Sequence, residues 1–234
     1  MNIYYKDENN QEILLSNTNQ QIMMEWEKPY MEASIDMLQP KGHVLEVGFG
    51  LGYSASQIMK YNPKSYTIIE CDPIVIKKIK EWTKNYPNTP INIIEGRWQQ
   101  DLHTLGRFDQ IYFDDYPLNL TKDTPEIERI MSRKRLSLFI DFCIQNHTRV
   151  GSKISFYLNS NTTENVLSSD SSPFVKITMG TIEIEIPENC TYRNRKEQKC
   201  TIPLVEKIRV FDYNYANKKA EESILMTMLQ TNKK

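Results

Sequence analysis

The stretch His43–Tyr53, reading His-Val-Leu-Glu-Val-Gly-Phe-Gly-Leu-Gly-Tyr, constrains the fold more than any other part of the chain. An apolar run stops at Gly48, Gly50 and Gly52, and an amphipathic segment follows. A buried strand that turns tightly into a helix beneath a nucleoside has this pattern, because glycine lets the main chain approach a ligand closely. A second apolar strand, Tyr66–Ile69, ends at Glu70, whose carboxylate offers the two acceptors that a ribose diol needs. A dinucleotide site wants Gly-x-Gly-x-x-Gly with pyrophosphate at the helix N-terminus, and a P-loop wants Gly-Lys-Ser/Thr. The order Gly48-x-Gly50-x-Gly52 meets neither, and the expected ligand is S-adenosyl-L-methionine. The alternative, a tight turn that binds nothing, sits poorly with Glu46 ahead of the glycines and Glu70 at the next strand end.

Beyond the glycines, strands and helices alternate: strands at 43–47, 66–70, 91–95, 110–114 and 153–158, with helices at 53–60, 73–85 and 125–146 and a weaker one at 98–105. That rhythm predicts parallel strands joined by right-handed crossovers. After Leu158 it changes. Residues 159–173 read as loop, and strands follow at 175–179, 181–186 and 202–210, the first two as a hairpin turning near Gly180. Ahead of the glycines, residues 1–18 read as a loose or partly ordered lead-in. A helical pattern runs from 19 or 20 to 38, with Pro29 marking a kink or the first turn of a second helix near Lys28. The tail carries an amphipathic pattern at Lys219–Leu229, whose apolar positions would cover the chain's own core or form a homodimer contact.

A chain of 234 residues can hold one α/β core. Its net charge of -1, from 29 basic and 30 acidic residues, gives no reason to expect nucleic-acid or acidic-membrane binding. No secretory signal and no run long enough to span a membrane is evident, and Cys71, Cys143, Cys190 and Cys200 lack paired metal spacing, so reduced thiols and a cytoplasmic location without a metal centre are expected.

Side chains at the strand ends are the site candidates. Glu46, inside an apolar strand, is expected to face the rim and brace the cofactor or a helix N-terminus. Trp98 would lie beside adenine. At the acceptor side stand Asp114, Asp115 and Tyr116, and the N-terminal segment adds Glu25, Trp26, Glu27, Tyr30 and Met31. Acids and aromatics with few bases favour a cation, and two carboxylates facing a planar guanidinium would fix its plane. The alternative for either acid is an ordinary structural or surface carboxylate. The basic run Arg193, Arg195, Lys196 and Lys199 reads as a solvated hairpin loop or, less simply, a partner surface.

The segments Met24-Glu25-Trp26-Glu27-Lys28-Pro29-Tyr30-Met31, Val44–Gly50, Ile68–Cys71, Gly96-Arg97-Trp98, Phe108–Leu118, Cys190-Thr191-Tyr192 and Ile202–Val205 together resemble the guanidinoacetate N-methyltransferase family. They are also similar to fungal arginine N-methyltransferases acting on the inner guanidino nitrogen. The resemblance implies an α/β, class I methyltransferase Rossmann-like fold: a seven-stranded, mostly parallel sheet with an antiparallel C-terminal hairpin. It implies a capping segment at 1–42, a catalytic domain at 43–213 and a tail at 214–234. Cofactor positions would be Glu46, Gly48, Phe49, Gly50, Gly52, Glu70, Cys71, Gly96, Arg97, Trp98 and Asp114. Acceptor positions would be Glu27, Met31, Asp114 and Tyr116, with backbone from Leu158, Asn159 and Ser160. Glu27 and Asp114 match the family's guanidinium-binding acids, and Asp114 its proton acceptor.

The chain departs from the pattern at Gln99-Gln100, where the family has acids, and at Asp115, where a threonine is usual and the aspartate adds negative charge beside the acceptor. The activity implied is methyl transfer to a small guanidino compound such as guanidinoacetate or arginine. Alternatives are a protein or peptide arginine methyltransferase, a cofactor-binding interaction module, and an RNA methyltransferase, for which no aromatic-interleaved basic stripe exists.

Overall fold

The computed structural model describes residues 2–116, 125–159, 171–212 and 214. Three short strands open the chain: β1 (Ile3–Lys6), β2 (Glu12–Leu15) and β3 (Gln21–Met24), an antiparallel sheet in that order. Of the two readings of the lead-in, loose or partly ordered, the second holds, with two strands formed before Ser16. Its turns are set by side chains that mimic backbone acceptors. Asp7 Oδ1 accepts from the amides of Asn9 and Gln11, and Ser16 Oγ from those of Thr18 and Gln20. Asn10 and Asn19 take the left-handed positions.

Residues 21–24 are strand and 25–27 a single 3-10 turn, so the predicted helix starts only at Lys28. Helix α1 (Lys28–Leu38) has Pro29 in its first turn, where the missing N–H costs nothing, and ends at Gln39 in the left-handed conformation. The alternating elements follow: β4 (His43–Val47), α2 (Tyr53–Lys60), β5 (Ser65–Glu70), α3 (Pro73–Trp82), β6 (Ile91–Glu95), α4 (Trp98–Asp101), β7 (Phe108–Phe113), α5 (Glu126–Phe142), β8 (Thr148–Phe156), β9 (Val175–Glu183) and β10 (Lys199–Lys207). Asp72 caps α3, its Oδ1 accepting from the amides of Ile74 and Val75.

A seven-stranded sheet has the order β6-β5-β4-β7-β8-β10-β9. The first five strands in that order are parallel, and β10 is antiparallel to both β8 and β9. The C-terminal hairpin is thus β9–β10, and its turn is not at Gly180. Strand β9 runs straight through that glycine, pairing from Val175↔Lys207 to Glu183↔Lys199. Gly180 serves close packing: a Cβ there would lie 2.9 Å from Met37 Sδ.

Strand periodicity divides the core between two faces. Val44 packs with Tyr30, Ile35, Ile58 and Ile79 on the α1–α3 side, while Leu45 and Val47 pack with Phe113, Phe139 and Phe156 on the α5 side. Each fully buried side chain of this size contributes roughly 1.5–3 kcal/mol, so both layers hold the strand ends rigidly. The tail pattern at Lys219–Leu229 lies outside the described residues. Among the described residues no helix is long and apolar enough to cross a membrane, and no cluster of three potential metal ligands occurs.

Candidate active site

The parallel strands end on one rim, and β4 lies between β5 and β7, where the direction of chain progression reverses. Open α/β sheets bind ligands at such a point. Main-chain bonds tie the strand ends together there: Gly48 N–H to Ile69 O at 3.0 Å, Gly96 N–H to Glu70 O at 2.9 Å, Asp114 N–H to Val47 O at 2.9 Å and Tyr157 N–H to Phe113 O at 3.0 Å. A cleft of about 900 Å³ opens above this rim.

At the cofactor end, Gly48 has φ +83°, and a Cβ there would stand 2.0 Å from the Asp114 carbonyl oxygen. The residue must be glycine for the turn to lie this close to β7. Glu70 is aimed by three amides: Phe49 N–H donates to Oε2 at 3.1 Å, and Cys71 and Asp72 N–H donate to Oε1 at 2.8 and 2.9 Å. Burial pushes its carboxyl up, and these donors oppose the shift. Cys71, Gly96, Arg97, Gln99 and Gln100 continue the wall. The N-terminal sheet closes over the glycine turn: Tyr4 OH donates to Gly50 O at 2.9 Å, Leu51 N–H to Met23 Sδ at 3.2 Å and Tyr53 OH to Glu12 at 3.1 Å.

Trp98 stands edge-on to Phe113 and Phe139, and its indole N–H donates to Asp115 Oδ2 at 2.9 Å. Arg135 Nε donates to the other Asp115 oxygen at 2.7 Å. The charge that Asp115 adds beside the acceptor is therefore matched by a cation of α5 and a neutral donor.

At the other end the wall comprises Asp114, Tyr116, Tyr157, Asn159 and Tyr192. Glu27 lies behind Tyr192 with only 2% of its surface exposed. Its Oε1 accepts from Met24 N–H at 2.9 Å and from the Tyr192 hydroxyl. Burial raises the Glu27 carboxyl, and the Tyr192 and Met24 donors lower it in part. Asp114 is pushed well above the usual carboxylate range by burial, then by the charges of Glu27, Asp115 and Glu46. Among the described residues, neither Glu27 nor Asp114 forms an ion pair.

Several expected ligands stand back from the wall. Glu46 does not face the rim: it is fully buried, with the Tyr66 hydroxyl donating to Oε2 and Ser54 of α2 beside it. Burial raises its carboxyl to about 7, so it reaches neutrality half protonated and is tolerated inside the strand. Phe49 packs edge-on to Trp82, Gly52 caps α2, and Met31 Sδ accepts from Tyr112 OH at 3.0 Å. Leu158 is buried with its carbonyl held by Arg193 Nη1 at 2.8 Å, while Ser160 lies outside the described residues.

Tyr157, Tyr192 and Arg135 are site residues that the candidate set lacks. Tyr192 stands in the Cys190-Thr191-Tyr192 motif, so a signal for it existed; Tyr157 and Arg135 have none. Arg193 departs from its solvated-loop reading, being buried while Arg195, Lys196 and Lys199 are exposed.

The sheet order and the glycine-turned cleft are those of the class I methyltransferase, Rossmann-like fold. Solved structures agree on the fold: a precorrin-6y C5,15-methyltransferase from Geobacter metallireducens superposes with a TM-score of 0.55 at 10% identity, covering 83% of this chain and 94% of that one. N-methyltransferase NodS from Bradyrhizobium japonicum superposes at 0.52 and 13% identity, covering 79% and 97%. The guanidinoacetate N-methyltransferase family profile matches residues 4–138, more than half the chain, and the chain belongs to that family.

Among curated relatives, the protein arginine N-methyltransferase 2 of Candida glabrata is 36% identical over 116 residues, covering 44% of this chain and 27% of the relative. That of Saccharomyces cerevisiae is 33% identical over 126 residues, covering 48% and 29%. The matches thus span little more than a quarter of the length of these relatives. The residues present are compatible with the cofactor: the turn at Gly48 lies close against the end of β7, and Glu70 is held at the rim by three main-chain amides.

Proposed function

We propose that this chain methylates a guanidino nitrogen of a small acceptor such as guanidinoacetate or arginine. The observation that carries this reading is the placement of Asp114 in the wall at one end of the cleft with Glu27 held just behind Tyr192 of the same wall, each raised by burial and, among the described residues, neither in an ion pair. Two such groups are poor neighbours for each other and good ones for a delocalised cation.

When bound, S-adenosyl-L-methionine supplies an electrophilic methyl group. Gly48, Gly50, Glu70, Cys71, Gly96, Arg97 and Trp98 would hold it, with Trp98 kept in place by Asp115. Glu27 would hold one edge of the guanidinium and stabilise its positive charge. Asp114 would accept a proton from the attacking nitrogen, restoring the lone pair that delocalisation withholds, once the bound cation has drawn it into its carboxylate form. Tyr116 and the Leu158–Asn159 backbone would position the rest of the acceptor. The N-terminal sheet, with Leu14 and Met23 against the cleft, would keep water out.

A second reading, a protein or peptide arginine as acceptor, draws support from the fungal relatives named protein arginine N-methyltransferase 2. Mass spectrometry of reactions with isotope-labelled cofactor and pooled acceptors decides: guanidinoacetate, arginine, agmatine and arginine-rich peptides. One methylated small guanidine, lost in Asp114→Asn, is the expected result. A methylated peptide in its place favours the second reading. Cofactor binding with no product from any acceptor overturns both in favour of a binding module.

A further inference from the structure

Arg193 is only 6% exposed, and its environment does not explain a structural arginine. One nitrogen, Nη1, donates to Leu158 O at 2.8 Å, while buried Nε and Nη2 complete no full hydrogen bond among the described residues. Leaving guanidinium donors short of partners in the interior is costly. The residue before it, Tyr192, donates to Glu27, and the positive charge of Arg193 favours the ionised form of that acid. The Tyr157 hydroxyl interacts with both groups and, among the described residues, closes a full hydrogen bond to neither.

We propose that Arg193 is a positioning residue of the acceptor site, holding the Leu158 peptide and keeping buried Glu27 ionised for a guanidinium acceptor. The proposal rests on the guanidino reading above. Among the described residues, the groups that interact with Glu27 are Tyr192 and Arg193 from the β9–β10 connection, Tyr157 after β8, Asp114 after β7, Cys200 on β10 and Tyr53 on α2. Arg193 is the cation of that set. The Leu158 peptide is held from both sides, since its N–H donates to Tyr30 Oη at 3.3 Å and Tyr30 OH donates to Thr201 O at 2.8 Å. Asn159, next in the chain, lines the cleft. One buried guanidinium thus fixes the loop that borders the acceptor and offsets the acid that binds it.

The sign follows from the charges. Arg193 favours the carboxylate form, so removing it raises the Glu27 pKa and weakens cation binding most at low pH. Full-length Arg193→Met, Arg193→Lys and Arg193→Gln proteins would be compared with the parent by kcat/KM against pH. Glu27 would be titrated by carbon-13 glutamate NMR without any acceptor, and cofactor binding would report folding. For Arg193→Met the acidic limb should move up, so that the loss in kcat/KM is about tenfold greater near pH 6 than near pH 8. Arg193→Lys, which keeps the charge, should restore the limb. A loss equal at both pH values with an unmoved Glu27 titration overturns the proposal.

Should Arg193→Met fail to fold, Arg193→Gln decides in its place: it keeps a donor for Leu158 O and removes the charge, so its limb must move the same way, and an unmoved limb overturns the proposal. A protein that methylates no guanidine sinks the functional reading, and the acceptor-free Glu27 titration still decides whether Arg193 holds the acid ionised.

Discussion

The hydroxyl of Tyr192 donates to the carboxylate of Glu27, joining a residue of the β9–β10 connection to one just ahead of α1. The bond keeps a buried acid in place at the end of the cleft and lowers its pKa against the rise that burial imposes. Tyr192→Phe keeps the ring, which stacks on Trp26, and removes only the donor. Glu27 should then ionise at higher pH. The expected result is a KM for the guanidino acceptor raised roughly three- to tenfold near neutrality, as befits one lost hydrogen bond to a charged group, with little change at alkaline pH. A pH series of initial rates measures both, and an unchanged KM at every pH would count against the acceptor role of Glu27.

Asp114 and Glu27 separate into proton acceptor and charge holder. Asp114→Asn removes a base while preserving shape, so kcat should fall about 10²- to 10⁴-fold with cofactor affinity nearly unchanged. Glu27→Gln removes charge from the acceptor's edge and should act on KM as strongly as on kcat. Steady-state kinetics with calorimetric cofactor titration would check the pair; turnover near the parent's in both variants would contradict the proposed chemistry.

Why the acids could be read from sequence and their supports could not is a matter of local signal. Gly48, Glu70 and Asp114 each close an apolar run, and the ends of parallel strands meet on one rim, so alternation alone brings them near each other. Arg193 stands in a run with Asn194, Arg195 and Lys196, where polarity argues for solvent; only the tertiary fold turns it inward. The N-terminal strands are four residues each, too short for alternation to register, and their order comes from Asp7, Ser16, Asn10 and Asn19 in the turns. Glu46 fails in the opposite sense: a carboxylate in an apolar strand suggested the rim, and Tyr66 with Ser54 made burial tolerable. Gly180 shows a glycine whose use is close approach to Met37 rather than a turn.

Binding of a guanidinium between two acids should release protons. Free Glu27 and Asp114 both titrate above their ordinary values, and a cation placed between them favours their charged forms, lowering both. Protonated carboxyls therefore lose hydrogen ions on binding, and the number lost grows as pH falls through the free-protein values. Acceptor titration calorimetry in buffers of different ionisation enthalpy should give a release between about zero and one proton at neutral pH, rising below it. Proton uptake, or no buffer dependence at any pH, would contradict the assignment of these two acids to a cation.

Glu46 sets a pH dependence on stability that needs no ligand. Burial raises its carboxyl from 4.5 to about 7, with Ser54 and Tyr66 opposing and Glu70 reinforcing the shift. Between those values the folded chain keeps a proton that the unfolded chain has lost. The contribution of Glu46 is therefore most favourable below the unfolded value, declines as pH rises and is fully lost above the folded value. By linkage that loss is on the order of 3 kcal/mol. Glu46→Gln removes the ionisation while its amide oxygen can still accept from Tyr66. Its amide N–H group inherits the place of Oε1, which completes no hydrogen bond among the described residues, and this costs about 1–3 kcal/mol at every pH. The diagnostic is therefore the slope: chemical denaturation at stepped pH should show the variant gaining on the parent from acid to alkaline conditions by roughly 1–3 kcal/mol. Parallel pH profiles for the two proteins would mean that Glu46 does not carry a raised pKa in the fold.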